Sequence, residues 1–351
     1  MKKTIVIVYD GAVINGGAAK IAIQSAVELA KNPDINMIYF AANVVLLPFV
    51  KQRLRKEKGF ADFVENYIPH TEKVVNVEQL KALVDREQYR AIITGSDQVW
   101  NPHIFDFDEM FFFPFETKAI KIGYSVSIGE SSLEDIRGYS KYAKDFPYVG
   151  LREKGAKEKV EAICGHSVVD TVDPVLLLTR EDWETFVDKS SPLAKEKYLF
   201  CYLIDKKPIK QNMAIAEQIA KERGLKIKYI WMHLEKESFR GNFINDASPV
   251  EFLNYMYHAS AVMTDGYHGT VFSTIFNKPM YSVINNRQST DSRIRDYLTL
   301  IGLESRIFYG DAPVIQKEEI DYTEVDPKIR SVADASKAFL QSAIDNERVV
   351  R

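Results

Sequence analysis

Two strings in the 351-residue chain place polar side chains directly behind a short apolar run. The first is Ile93-Thr-Gly-Ser-Asp-Gln-Val-Trp-Asn-Pro102. Gly95 permits a sharp turn at the end of a strand, because glycine adopts backbone angles that other residues avoid. Ser96, Asp97 and Gln98 then project from the strand's carboxyl end, and Trp100 is placed to wall a pocket. The same string also suits a plain turn in which Asp97 caps a helix. The second string is Val262-Met-Thr-Asp-Gly-Tyr-His-Gly-Thr-Val-Phe-Ser-Thr-Ile-Phe-Asn-Lys-Pro279. Here a strand ends at Thr264, and His268 and Gly269 open a helix. The first turn of a helix has unpaired N–H groups and the positive end of the dipole, which favour phosphate or carboxylate. His268 suits anion binding or proton transfer there, and equally suits capping the helix or filling a gap. Asn15-Gly16-Gly17 lies at another strand-to-helix turn. It has neither the dinucleotide nor the Walker spacing, so close approach of backbone to a ligand and a simple tight turn remain open.

These residues need elements to hold them, and the sequence alternates strand-like and helix-like patterns. Strands are expected at Thr4–Tyr9, Met37–Ala41, Arg90–Thr94, Lys121–Val126, Tyr148–Leu151 and Val168–Val172. Helices are expected at Ala18–Ala30, Gln79–Arg86, Ser132–Lys144 and Glu153–Ile163. The pattern restarts with strands at Tyr198–Leu203, Lys226–Trp231, Ala261–Thr264 and Met280–Ile284. Between and after them come helices at Gln211–Arg223, Pro249–Tyr257, Gly269–Phe276 and Asp291–Leu300. Such alternation predicts parallel sheets covered by helices. We expect an α/β chain of two doubly wound, Rossmann-like domains facing a cleft. The expected divisions are 1–180, 181–328 and a last helix within 329–351 that packs back on the first domain. Ligands in such sheets bind beyond the carboxyl ends of the strands.

Composition narrows the functional classes. Forty-six Lys and Arg against 49 Asp and Glu give a net charge of −3, so no basic excess draws the chain to nucleic acid. Hydrophobic residues make up 46% and charged residues 27%, ordinary values for a folded chain. The two cysteines, Cys164 and Cys201, make no disulfide framework and fit a reducing compartment. The apolar run Ile5–Val8 meets Asp10 too soon for a secretory core. Ile35–Val50 is interrupted by Asn36, Asn43 and Pro48 and is shorter than a membrane span. The expectation is a soluble cytoplasmic protein. Arg53-Leu-Arg-Lys-Glu-Lys58 reads as a solvated helix face, or as a weak attraction to an anionic membrane surface. The phenylalanines from Phe105 to Phe115 read as core and loop anchors rather than an acceptor platform.

The two long strings, Gly95-Ser-Asp-Gln-Val-Trp-Asn101 and Asp265-Gly-Tyr-His-Gly-Thr-Val-Phe-Ser273, resemble the polysaccharide pyruvyl transferase family. Lys121–Ser127, Val149-Gly-Leu-Arg-Glu153 and Val172-Asp-Pro-Val175 fall in that family's order, and the resemblance covers about residues 1–305. It implies a fold like the two-domain glycosyltransferases called GT-B. It also implies transfer of pyruvate from phosphoenolpyruvate to a sugar as a ketal, during assembly of a surface polysaccharide or other glycan. On that resemblance Arg152 and His268 serve the donor, with Gly269 and Thr270 at the helix start. Some branches carry an arginine two residues before the histidine, where this chain has Gly266. Arg287 or Arg293 is the replacement we expect.

The chemistry fits, since an arginine fork binds two oxygens of a carboxylate or phosphate at once. Asp97 is a candidate base for an acceptor hydroxyl, with Asn15, Gly16, Ser96, Gln98 and Trp100 around the acceptor. The acceptor is expected to be a sugar or lipid-linked oligosaccharide, met at most peripherally at the inner membrane face. No metal or cofactor is called for, phosphoenolpyruvate being a co-substrate; the scattered histidines show no ligand spacing. A nucleotide-sugar glycosyltransferase on the same architecture and a catalytically silent binding homologue are the alternatives.

Overall fold

The structure is a computed structural model and describes residues 4–7, 36–104, 107–204, 209–231, 243–284, 293–309 and 319–346. In chain order the elements begin with β1 (Thr4–Ile7), α1 (Asn36–Tyr67), α2 (Val77–Glu87), β2 (Ala91–Thr94) and β3 (Ile120–Val126). Next come α3 (Leu133–Arg137), α4 (Ser140–Ala143), β4 (Tyr148–Leu151), α5 (Lys157–Cys164), β5 (Val169–Asp170) and α6 (Arg180–Glu184). The second half has β6 (Tyr198–Leu203), α7 (Ile209–Arg223), β7 (Lys226–Trp231), α8 (Pro249–His258) and β8 (Ala261–Thr264). It ends with α9 (Tyr267–Ile275), β9 (Met280–Ile284), α10 (Arg293–Ile301), β10 (Ile307–Tyr309) and α11 (Tyr322–Asp345). The chain is thus mixed α/β with parallel strands. It divides into two units, one of residues 1–9, 72–183 and 265–351, the other of residues 10–71 and 184–264.

In the first unit β1 to β5 lie side by side in chain order, and every pair is parallel. Right-handed crossovers between strands laid in sequence order put the connecting helices on one face. That face packs Ile92, Val126, Val149 and Leu151 against Leu80 and Val84 of α2 and against Ile136, Val160 and Ile163. The alternate residues Ala91, Ile93, Ile122 and Tyr124 point the other way, as strand periodicity demands. Phe339 and Ala343 of α11 cover them. Gly150 allows this approach, because a Cβ there would sit 3.0 Å from the Phe339 ring. Strands β9 and β10 pair in parallel within the same unit.

In the second unit β7, β6 and β8 form a parallel ladder. Helix α1 docks on the start of α8. Arg55 pairs with Asp246 at 2.7 Å and with Glu251, and Asn245 donates to Gln52 at 2.6 Å. Phe63 and Tyr67 close around Phe186, with ring centroids 6.0 and 5.1 Å away. The basic run is therefore partly engaged, with Arg55 on α8 and Lys58 on Asp62. A Cβ on Gly59 would lie 2.6 Å from the Ser248 Cβ and 3.3 Å from its Cα. Alanine is the better helix former by about 1 kcal/mol, but overpacking against backbone costs ~1–3 kcal/mol. Gly59→Ala is expected to lower the melting temperature; a rise in a calorimetric melt would refute this contact.

Three expectations change. Met37–Ala41 lies inside α1 and is not a strand: a short apolar run has no period of its own, and the flanking sequence continues it as helix. Ser132–Lys144 is two short helices, α3 and α4, interrupted at Gly138 and Tyr139. The segment after Arg152 opens with a 3-10 turn, Lys154–Ala156, before α5 begins. The helix expected at Ala18–Ala30 lies outside the described residues. Among the described residues no helix is long and apolar enough to cross a membrane.

Candidate active site

The first unit gathers its charges where strands β2, β4 and β5 end. After β2, Gly95 has φ +129, and a Cβ there would fall 1.9 Å from the Tyr124 carbonyl oxygen. Only glycine fits. Asp97 follows at φ +69, a left-handed conformation that a short carboxylate side chain tolerates. Its carbonyl accepts from the Ser127 N–H at 2.9 Å, which fixes it beside the end of β3. Arg152 follows β4 and donates its backbone N–H to the Val126 carbonyl at 3.1 Å. Glu153 is buried and accepts from the Ser127 hydroxyl at 2.8 Å and the Ile128 N–H at 2.9 Å, tying the ends of β3 and β4. Burial pushes its carboxyl above the ordinary value, against the opposing effect of Arg152 and these hydrogen bonds. Asp173 follows β5, and its Oδ1 accepts from the Val175 N–H at 3.1 Å, capping the 3-10 turn Pro174–Leu177.

Helix α9 brings the histidine. Its N-cap is Gly266, with no side-chain capping bond, so the first N–H groups depend on other partners. Successive helical residues point about 100° apart. Accordingly His268 stays 39% exposed, while Thr270 is buried and bonds the Gly266 carbonyl and, at 2.9 Å, the Ser282 hydroxyl. Thr270 thus serves the packing of α9 on β9 and presents nothing to a ligand. Gly269 is buried beside it in the first turn.

The charged groups form an alternating chain. Arg293 Nη1 lies 3.3 Å from Asp97 Oδ1, and Arg152 Nη2 lies 2.5 Å from that same oxygen. Arg152 Nη1 reaches Asp173 Oδ2 at 2.8 Å, and His268 Nε2 stands 3.4 Å from Asp173 Oδ2. The Ser96 hydroxyl is also 3.4 Å from that oxygen. Arg152 lies over the Tyr267 ring at 5.1 Å. The middle of the chain is sealed: Arg152 is 2% exposed and Asp173 1%, against 35% for Asp97. Burial alone would raise Asp173, but His268, Arg152 and the Val175 N–H hold its carboxyl far below the usual range. Burial likewise works against Asp97, and Arg152, Arg293 and His268 outweigh it and lower its pKa. Burial opposes the charge on Arg152 too, and the two carboxylates overcome that and raise it.

Both carboxylates are more acidic folded than unfolded. The stability they contribute is complete above the ordinary aspartate value of roughly 3.9 and is lost as the pH falls through their lowered folded values. Acid unfolding followed by circular dichroism should therefore steepen below about pH 4. Asp173→Asn should flatten that limb; an unchanged limb would mean the ion pairs add nothing.

Of the residues expected to act, Ser96, Asp97, Arg152, His268 and Arg293 converge here. Trp100 does not: it is fully buried, stacked on Phe112 at 4.8 Å, with its indole N–H directed to the Phe111 carbonyl. It is a core residue, not a pocket wall, and Phe112 and Phe113 are core anchors beside it. The Gln98 side chain accepts from Asn101 at 2.5 Å, bracing the loop that holds Asp97. Asn15, Gly16 and Arg287 lie outside the described residues, as does Phe105. Asp173 is the site residue that sequence reasoning missed as a functional group. Its signal was a carboxylate at a strand end before Pro174, and Tyr267 had none beyond standing next to His268.

Fold and site define an α/β protein with an arginine–histidine cluster at strand carboxyl ends, suited to a small anionic substrate. The chain belongs to the polysaccharide pyruvyl transferase family, whose model matches residues 25–287. Membership makes it a transferase of the pyruvyl type in polysaccharide biosynthesis, with a sugar or polysaccharide acceptor. No curated protein matches the chain. Among solved structures it is similar to the S. aureus MnaA–UDP co-structure, with 12% identity over 81% of this chain and 80% of that one and a TM-score of 0.48. It is also similar to the UDP-GlcNAc 2-epimerase from Methanocaldococcus jannaschii, with 9% identity over 79% and 82% and a TM-score of 0.48.

Proposed function

We propose that the protein transfers pyruvate from phosphoenolpyruvate to two hydroxyls of a sugar as a cyclic ketal. The observation that carries this reading is His268 at the start of α9, backed by buried Asp173, joined through it to Arg152 and from there through Asp97 to Arg293. The reaction forms two C–O bonds at the central carbon and one C–H bond at the methylene, and breaks the π bond between these carbons, the two hydroxyl O–H bonds and the C–O bond to phosphate. The two hydroxyl protons end on the methyl group and on phosphate. The arginines and the first N–H groups of α9 balance the donor's negative charge and favour departure of phosphate. Arg293 supports the reading further, because it stands in the cluster while Gly266 occupies the position of the arginine found in some branches.

His268, exposed and held by an acid, is the group we assign to proton transfer. Asp97 is a weak base while two guanidinium groups hold it, and becomes a better one when released from them. The acceptor sugar, free or lipid-linked, approaches the exposed side of His268.

Thermal shift with phosphoenolpyruvate and nucleotide sugars side by side tests the donor. A ligand at about 100 times its dissociation constant stabilises the folded state by ~2.7 kcal/mol. Phosphoenolpyruvate should raise the melting temperature; a rise with a nucleotide sugar alone would replace this reading by glycosyl transfer.

A further inference from the structure

The two arginines that suit the donor's anionic end are already bridged by a carboxylate of the protein. Asp97 Oδ1 lies 2.5 Å from Arg152 and 3.3 Å from Arg293. It is the outer of the two acids on Arg152: Asp97 is 35% exposed, whereas Asp173 on the other prong is 1% exposed and capped in place. The fork is also incompletely used. Arg152 Nε is buried without any hydrogen-bond partner, a costly state for a charged donor. Both arginines also line a cavity of about 180 Å³ with Lys154, Tyr267, Asp170 and Asp296, on the side of the fork away from Asp97 and His268, which do not line it.

We infer that Asp97 is an internal stand-in for the carboxylate of the incoming donor. A small organic acid that binds the two arginines takes the unused Arg152 Nε–H and displaces Asp97 from between them. Two carboxylates competing for one pair of guanidinium groups repel each other, so each weakens the other's binding. Displacement also frees Asp97 from the cations that make it a weak base, coupling donor entry to activation of an acceptor hydroxyl. The inference rests on the donor reading above for the identity of the acid, and on geometry alone for the competition.

The test is calorimetric titration of pyruvate, phosphoenolpyruvate and inorganic phosphate into the wild type and Asp97→Asn. Asparagine keeps the shape and removes the competing charge. Both carboxylate ligands should bind the variant about tenfold or more tightly, the scale of one charge-assisted hydrogen bond. Phosphate alone should gain less. Equal or weaker carboxylate binding by a variant that still melts cooperatively would overturn the proposal, as would a gain confined to phosphate. A crystal of the wild type soaked with phosphoenolpyruvate provides an arm that needs no variant. The donor carboxylate should contact Arg152 Nε with Asp97 turned away, and an undisturbed Asp97 bridge with donor bound elsewhere would refute displacement. Tighter pyruvate binding by a protein that releases no phosphate from phosphoenolpyruvate and sugars would keep this inference and sink the reaction. Transfer by the wild type, with affinities unaltered in Asp97→Asn, would do the reverse.

Discussion

His268→Gln is expected to remain folded and to lose most of its turnover. The side chain lies in the first turn of α9 and is 39% exposed, so little packing depends on it. A glutamine amide donates to Asp173 as an imidazole N–H does, which leaves the buried acid partnered. What glutamine lacks is a ring nitrogen able to take up and give back a proton, the property that makes histidine the common acid–base residue. General acid–base assistance contributes typically about 10²–10⁴-fold to the rate. The loss should fall on kcat, measured as phosphate release with saturating donor, while the donor KM changes little. A variant with normal kcat and a raised donor KM would make His268 an anion ligand. Proton transfer would then pass to another group, with Asp97 first.

Most strand ends were legible because the chain marks them twice, by an apolar run and by the small or polar residue that stops it. Tyr198–Leu203, Lys226–Trp231, Ala261–Thr264 and Met280–Ile284 are each as the residues predict. Sequence fails where context outweighs local pattern. The run at Met37 extends into a helix of 32 residues, which no short window distinguishes from a buried strand. The start of α11 was hidden by the polar stretch and by Pro327, which lies inside the helix and has no N–H to donate to the Thr323 carbonyl.

The site divides the same way. Asp97, Arg152 and His268 were visible because each follows a strand, where a parallel sheet exposes its ends. The function of Asp173 was not visible, since its contacts to Arg152 and His268 join residues 21 and 95 positions apart (152 to 173, and 173 to 268). Trp100 misled because a polar triple precedes it, whereas the next turn of chain carries it into the aromatic core.

Arg152→Lys is the more revealing substitution, because the structure gives Arg152 two tasks. Its Nη atoms hold Asp97 and Asp173 at once, and one ammonium cannot reproduce that planar two-sided clamp. Removing one partner of a buried pair costs about 3–5 kcal/mol. Lysine retains the charge but reaches fewer oxygens, so about 1.5–3 kcal/mol, the value of one charge-assisted bond, is the expected loss of stability. Donor binding should weaken as well, with a rise in donor KM of about tenfold or more. The two effects separate in experiment. A denaturant midpoint reports the clamp, and the donor KM, measured well below that midpoint, reports the substrate contact. If stability falls and the donor KM does not move, Arg152 only braces Asp97 and Asp173, and Arg293 with the start of α9 holds the donor. If the KM rises in step with a lowered midpoint and Arg293→Lys leaves it unchanged, the donor's anionic end lies on Arg152 itself.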